Sequence, residues 1–222
     1  ICYKNYILEN EDQLDIISTK NTAYGYLSIN GGFQLKKLWG SYSINTKANI
    51  GPNNGKKYSV KDKIFIKDPK LKKIKKLELN YSELSDNIIR VIKGTNFDYF
   101  SKEAQNSFFN QEFSVSKLAD RMGIRLSGHK LENVVSTNIK SEGLVRGTIQ
   151  VPADGNPIIM LSDHGTIGGY PKIGVVISAD LDRVGQLTPG SMINFKEVSL
   201  EEAQNIFKAY KEDTNRYLNE NN

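Results

Sequence analysis

The chain has 222 residues, 38% of them hydrophobic, 9% aromatic and 25% charged, proportions that exclude collagen-like, wholly disordered and disulfide-scaffold proteins. Thirty Lys and Arg against 25 Asp and Glu leave a net charge of +5, which favours anionic partners without calling for a nucleic acid. One cysteine, Cys2, with only His129 and His164 beside it, excludes an internal disulfide and a zinc site of Cys/His spacing, and no apolar run approaches the roughly 18 residues of a membrane span.

A chain of this length predicts one large β-rich unit or two small lobes. The lone thiol makes a reducing compartment the default, so a cytoplasmic protein without a membrane is expected. Short stretches rich in Ile, Val, Tyr and Phe, punctuated by Gly, Asn and Pro, predict mainly β structure. In chain order, strands are expected first at Leu14 to Ser18, Tyr24 to Ile29 and Ile64 to Ile66. Between them Gly51-Pro52-Asn53-Asn54-Gly55-Lys56-Lys57 has three residues between its glycines and no Ser or Thr after its lysine. A phosphate loop needs four and a hydroxyl, so this stretch is expected to be a turn.

Residues 69–76, with Pro69 and a run of lysines up to Lys76, are expected to form a basic linker between a first β lobe, 1–68, and a second, 77–222. Without a recognised nucleic-acid motif or interleaved aromatics, that run predicts a solvated segment and no nucleic-acid partner. Further strands are expected at Leu77 to Leu79, Ile88 to Ile92, Ile149 to Val151, Ile158 to Leu161 and Gly174 to Ser178. A short helix is expected at Ser101 to Phe109 and a terminal one from Leu200. Ser199 and Glu202 form a capping box for the latter, and Ala203, Ile206, Phe207 and Tyr210 share one of its faces.

Chemistry-bearing residues concentrate between 120 and 172. Asp120-Arg121-Met122-Gly123-Ile124-Arg125 sets two guanidiniums four apart, suited to a carboxylate or phosphate. Gln150 stands between apolar neighbours in a strand, which makes it either buried and satisfied or directed at a site. Asp163-His164 offers a proton acceptor, although neighbours in a strand point to opposite faces and cannot form a triad alone. Gly168-Gly169 would let a ligand approach the backbone, and Tyr170 and Lys172 add a donor and a cation. A serine-hydrolase elbow is absent from the sequence.

Asp120-Arg121-Met122-Gly123-Ile124-Arg125-Leu126, Ser141-Glu142-Gly143, Gly147-Thr148-Ile149-Gln150-Val151-Pro152 and Gly168-Gly169-Tyr170-Pro171-Lys172-Ile173 closely resemble the biotin-dependent carboxyltransferase family. That family includes allophanate hydrolase subunit 2, the KipI antagonist KipA and the C component of 5-oxoprolinase. Tyr26 to Phe33, Gly40-Ser41-Tyr42-Ser43 and Gly55-Lys56 resemble its first-lobe motifs. Lys61 replaces the family's usual glycine, Ile124 its usual tyrosine, and Gly165 a residue that is often glutamine.

The resemblance implies two cyclophilin-like β-barrel lobes, the first N-terminally incomplete, with a C-terminal helix. It implies a heteromeric, ATP-dependent enzyme that opens 5-oxoproline to glutamate with a KipI-like, allophanate hydrolase subunit 1-like sister subunit. On that reading Arg121, Arg125, Glu142, Gln150, Gly168, Gly169 and Tyr170 bind a small amide substrate, Asp163, His164 and Lys172 handle protons, and no residue is assigned as a metal ligand. The alternatives are the carboxyltransferase step of a urea carboxylase, dependent on a biotin carrier, and a non-catalytic antagonist of a KipI-like kinase inhibitor.

Overall fold

The computed structural model describes residues 4–67 and 86–220, and the chain divides into two compact units. The basic segment 69–76 and the strand expected at Leu77 to Leu79 lie outside the described residues.

The described part of one unit comprises Lys4–Ile7 and 25–67. Single bridges hold it: Phe33 to Ile66, Leu38 to Ser41 and Asn45 to Ile50. The strands expected at Tyr24 to Ile29 and Ile64 to Ile66 therefore do not form ladders here, and only Ile66 is bridged; Leu14 to Ser18, in the other unit, is equally free of strand pairing. Their β-forming side chains are present, but strand propensity acts only where a neighbouring strand completes the hydrogen bonds. The Gly51 to Gly55 segment is the expected turn, with one 3-10 turn at Asn53–Gly55. A Cβ would collide with the Ser43 carbonyl oxygen at Gly51 and with the Asn49 carbonyl carbon at Gly55. Its glycines serve close packing of backbone on backbone.

The other unit is a closed barrel of seven strands. In chain order they are β1 (Ile88–Lys93), β2 (Phe113–Val115), β3 (Gly123–Gly128), β5 (Thr148–Gln150), β6 (Ile158–Met160), β8 (Lys172–Val176) and β9 (Met192–Glu197). Around the barrel they run β1-β8-β5-β6-β3-β2-β9, antiparallel except where β9 returns alongside β1 in parallel. A two-stranded ribbon of β4 (Glu142–Gly143) and β7 (Ile167–Gly168) forms a second sheet outside the barrel ladder. Strands expected at Ile88, Ile149 and Ile158 occur within a residue of their expected bounds, and the one expected at Gly174 begins two residues earlier, at Lys172.

Period-two burial explains closure. Ile89 and Val91 of β1, Ile193 and Phe195 of β9, and Phe113 and Val115 of β2 alternate with more exposed neighbours, so each strand turns one face to a common core. Helix α1 (Lys102–Asn110) starts at Ser101, whose hydroxyl accepts the Ala104 N–H at 3.1 Å. It sends Phe108 into that core, stacked on Phe195 with ring centroids 4.5 Å apart. A short helix α2 (Leu181–Val184) precedes β9, and α3 (Leu200–Glu220) follows it.

Candidate active site

Lys172 opens β8 and is only 5% exposed. A buried ammonium is costly unless acceptors meet it, and two do. Its Nζ donates to Glu142 Oε2 in an ion pair and lies 3.4 Å from Asn96 Oδ1. That same Asn96 oxygen accepts the Lys172 backbone N–H at 3.1 Å, while the Asn96 N–H donates to the Lys172 carbonyl at 3.2 Å. Asn96 therefore grips both ends of the lysine. The grip depends on Gly94, where a Cβ would collide with the Lys172 carbonyl oxygen.

Glu142 arrives on the ribbon, paired with Gly168 across β4 and β7. Its side chain is 44% exposed, so one face of the ion pair meets solvent. The ribbon lies close on the barrel because Gly168 lacks a side chain: a Cβ there would be 2.7 Å from Gln150 Nε2 and 2.9 Å from Leu144 Cδ1. Gln150, 3% exposed, is the cross-strand partner of Lys172 at an irregular register step in the β5 and β8 ladder. Its Nε2 donates to the Tyr170 carbonyl at 3.1 Å. Gly169 is fixed through its carbonyl, which accepts the Ile139 N–H at 2.9 Å, and Tyr170 remains 39% exposed. Glu142, Gln150, Gly168, Gly169, Tyr170 and Lys172, scattered over thirty positions of sequence, thus come together around the start of β8.

The remaining expected residues have different company. Arg121 sits in the bend before β3 and makes two parallel bonds to Asp163, 2.8 Å from Nε and 3.1 Å from the terminal nitrogen. With the Asp163 N–H donating to the Arg121 carbonyl at 3.0 Å, this pair continues the β3 and β6 ladder beyond its last strand residue. Arg125, exposed in the middle of β3, stands opposite Ile158. It adds to Lys130 in holding the Asp154 carboxyl below the ordinary carboxylate range, an effect led by the hydrogen bond from Asn156. Arg121 is bonded to Asp163, whereas Arg125 acts on Asp154 through its charge. The His164 ring turns its Nδ1 to the neighbouring Gly165 carbonyl, and its backbone N–H donates to the Leu161 carbonyl at 3.2 Å.

Two features escaped the sequence reading. Asn96 follows Gly94-Thr95, a composition that reads as a turn, and only its position at the end of a barrel strand could have marked it. Asp180 is the other: 2% exposed, it accepts from the Arg90 N–H at 2.8 Å and Arg90 Nε at 3.0 Å, and lies 3.3 Å from Arg183. The Arg90 guanidinium is raised above its already high pKa, chiefly by that hydrogen bond to Asp180. This cluster binds β1 to the turn preceding α2.

Chemically, the Lys172 end of the barrel offers a fixed positive charge, carboxamides on two sides and one solvent-reached carboxylate. Such a set can orient an amide or carboxylate and stabilise negative charge growing on a carbonyl oxygen.

Comparison with known proteins identifies the family and the fold. The family model for the carboxyltransferase domain, subdomain A and B, matches residues 2–197. The C component of 5-oxoprolinase from Haemophilus influenzae is 31% identical over 99% of this chain and 72% of its own length. Its counterpart from Escherichia coli is 33% identical over 87% of this chain and 61% of its own. The chain thus spans well short of the full length of either relative. Among solved structures, the K. lactis urea amidolyase superposes with a TM-score of 0.74 at 27% identity, covering 86% of this chain and 13% of that one. The match over nearly the whole sequence and the agreement in fold place the chain in the carboxyltransferase domain family of subdomains A and B.

Proposed function

We propose that this chain is a component of a heteromeric, ATP-dependent 5-oxoprolinase, working with a KipI-like, allophanate hydrolase subunit 1-like sister subunit in the cytoplasm. Opening 5-oxoproline breaks the ring C–N bond, places a water-derived oxygen on the carbonyl carbon and a proton on the departing nitrogen, giving glutamate as ATP goes to ADP and phosphate. A lactam carbonyl is a poor electrophile, so ATP supplies the driving force that a bare hydrolase site lacks.

The observation that carries this reading is the buried Lys172 ammonium, held by Asn96 and Glu142 beside Gln150, in a chain similar to the C components of two 5-oxoprolinases. Lys172 stabilises the developing oxyanion, and Glu142, exposed and already bonded to Nζ, takes and returns a proton. At Gly51 and Gly55 the space a side chain would take is filled by the backbone of Ser43, Ile44, Asn49 and Ile50, so these glycines serve packing. The chain's share of the chemistry falls to the barrel residues. Carboxyl transfer from a biotin carrier to urea is the second reading, favoured by the structural likeness to urea amidolyase.

The test uses the full-length protein purified with its sister subunits, following ADP release with 5-oxoproline and, separately, with urea and a biotinylated carrier. Release matched by glutamate is the expected result. Turnover on urea alone moves the chain to the second reading. Tight association of the components without turnover on either substrate moves it to the antagonist of a kinase inhibitor.

A further inference from the structure

Three side chains at the Lys172 end of the barrel are more than nine-tenths buried: Asn96 at 4%, Gln150 at 3% and Lys172 at 5% exposure. Each carries more hydrogen-bonding capacity than its protein partners use. Asn96 gives its carboxamide oxygen to Lys172, and its NH2 group donates to no described residue. Gln150 gives its NH2 to the Tyr170 carbonyl, and its Oε1 accepts from no described residue. Among the described residues the sole sealed, unpartnered side-chain polar atom is Asn133 Oδ1. The Asn96 NH2 and Gln150 Oε1 are not among the sealed atoms, so each keeps a narrow access from outside. The ammonium of Lys172, bonded to Glu142 and Asn96, has a third N–H.

The open groups form an ordered set. Asn96 contacts Lys172 from the loop after β1, and Gln150 faces it across the β5 and β8 pair. The Asn96 amide and the Lys172 ammonium supply two donors, and Gln150 Oε1, on the strand residue paired with Lys172, supplies an acceptor. Water-exposed polar atoms on otherwise buried, backbone-anchored side chains make a preorganised recognition surface. Its complement is a ligand edge with a carbonyl oxygen next to an N–H, which is the cis edge of a lactam or of urea.

We infer that Asn96 and Gln150 read the two halves of the substrate's amide edge: Asn96, with Lys172, donates to the carbonyl oxygen, and Gln150 Oε1 accepts the amide N–H. This deepens the 5-oxoprolinase reading and rests on it for the lactam, while the edge itself is common to lactam and urea. Asn96 is on this account a catalytic residue that touches substrate, and Gln150 determines specificity. A site built to accept an N–H rejects an analogue that lacks it, because the acceptor is then stranded in a desolvated place.

The experiment uses the assembled complex, with 5-oxoproline, N-methyl-5-oxoproline and urea as probes, and steady-state turnover and calorimetric binding as readouts. Asn96→Asp keeps an oxygen for Lys172 and removes the donor; kcat/KM for 5-oxoproline is expected to fall roughly 10- to 100-fold with unchanged thermal unfolding. The unaltered complex is expected to disfavour the N-methyl lactam by a similar factor, and Gln150→Ala to erase that discrimination. This second measurement needs no destabilising change in Asn96.

Normal 5-oxoproline turnover with equal use of the N-methyl lactam, or with Asn96→Asp at full activity, overturns the inference and leaves the 5-oxoprolinase reading standing. Turnover of urea but not 5-oxoproline, with the same loss in Asn96→Asp, overturns that reading and supports the inference. Failure of the unaltered complex to bind either amide overturns both.

Discussion

Lys172 and Glu142 share one ion pair but not one environment, and the difference predicts unequal consequences of removing either. The lysine side chain is 6% exposed and the glutamate 44%. Glu142→Ala strands a buried ammonium and is expected to cost about 1–3 kcal/mol. Lys172→Met leaves a carboxylate that water can reach and fills the buried space with an apolar chain, so it should stay within about 1 kcal/mol of the parent. Chemical denaturation of the two variants checks the order, and both should lose activity in the assembled complex. Gly168→Ala tests the close seat of the ribbon. Its Cβ would meet the Gln150 amide at 2.7 Å, so turnover should fall roughly tenfold or more while the barrel's melting temperature barely moves. At this scale the sequence was informative where several unusual residues crowd together, as Gln150, Gly168, Gly169, Tyr170 and Lys172 do. It was silent about Asn96, whose significance arises only when β1 and β8 lie side by side, and about the bond from Arg121 to Asp163, a residue 42 positions away.

Element boundaries were legible where local chemistry writes them. The capping box of α3 is formed as expected: the Ser199 N–H donates to Glu202 Oε2 at 2.7 Å and the Glu202 N–H to Ser199 Oγ at 3.1 Å. The hydrogen bond from the Ser199 backbone, then that from its hydroxyl, holds the Glu202 carboxyl below the ordinary range. A group whose folded pKa is depressed contributes stability above its unfolded value and loses it as pH falls through the lowered one. Acidification through the carboxylate range is therefore expected to fray the first turn of α3, seen as faster amide exchange at Ala203, while a rise above neutrality leaves it intact. Ser199→Ala should cost about 1 kcal/mol of helix stability at neutral pH. By contrast β2 and β3 had no local signature. Phe113–Val115 is three residues long, and β3 begins with Gly123, which reads as a turn; the glycine is needed because a Cβ there would approach the Ile159 carbonyl and the Ile158 side chain at 3.0 Å. Leu14 to Ser18 shows the reverse failure, a strand composition without a neighbouring strand.

The two units differ in how much they bury. Among the described residues of one unit, Lys4–Ile7 and 25–67, only Pro52 and Gly55 are buried, whereas the barrel of the other encloses a continuous core from Ile89 to Phe195. Hydrogen exchange should accordingly be fast at 25–67 and slow in β1, β5, β6 and β8, where opening requires loss of that core. Phe108→Ala, at the centre of the stacked ring cluster, is expected to cost about 3–5 kcal/mol by denaturant titration. Asp180→Ala, which leaves Arg90 and Arg183 without their shared carboxylate, is expected to cost about 2–3 kcal/mol. The overall class was legible from the frequency of turn residues and the apolar alternation between them, but closure was not, since no sequence period records which strand meets which. The parallel return of β9 beside β1, Ile88 against Asn194, has a consequence in time. During synthesis β1 leaves the ribosome about a hundred residues before its partner, an interval of roughly 5–20 s at ordinary elongation rates. The nascent barrel must wait with one seam open, and mutations that slow or truncate the chain before β9 should appear as aggregation of newly made protein rather than as instability of the finished fold.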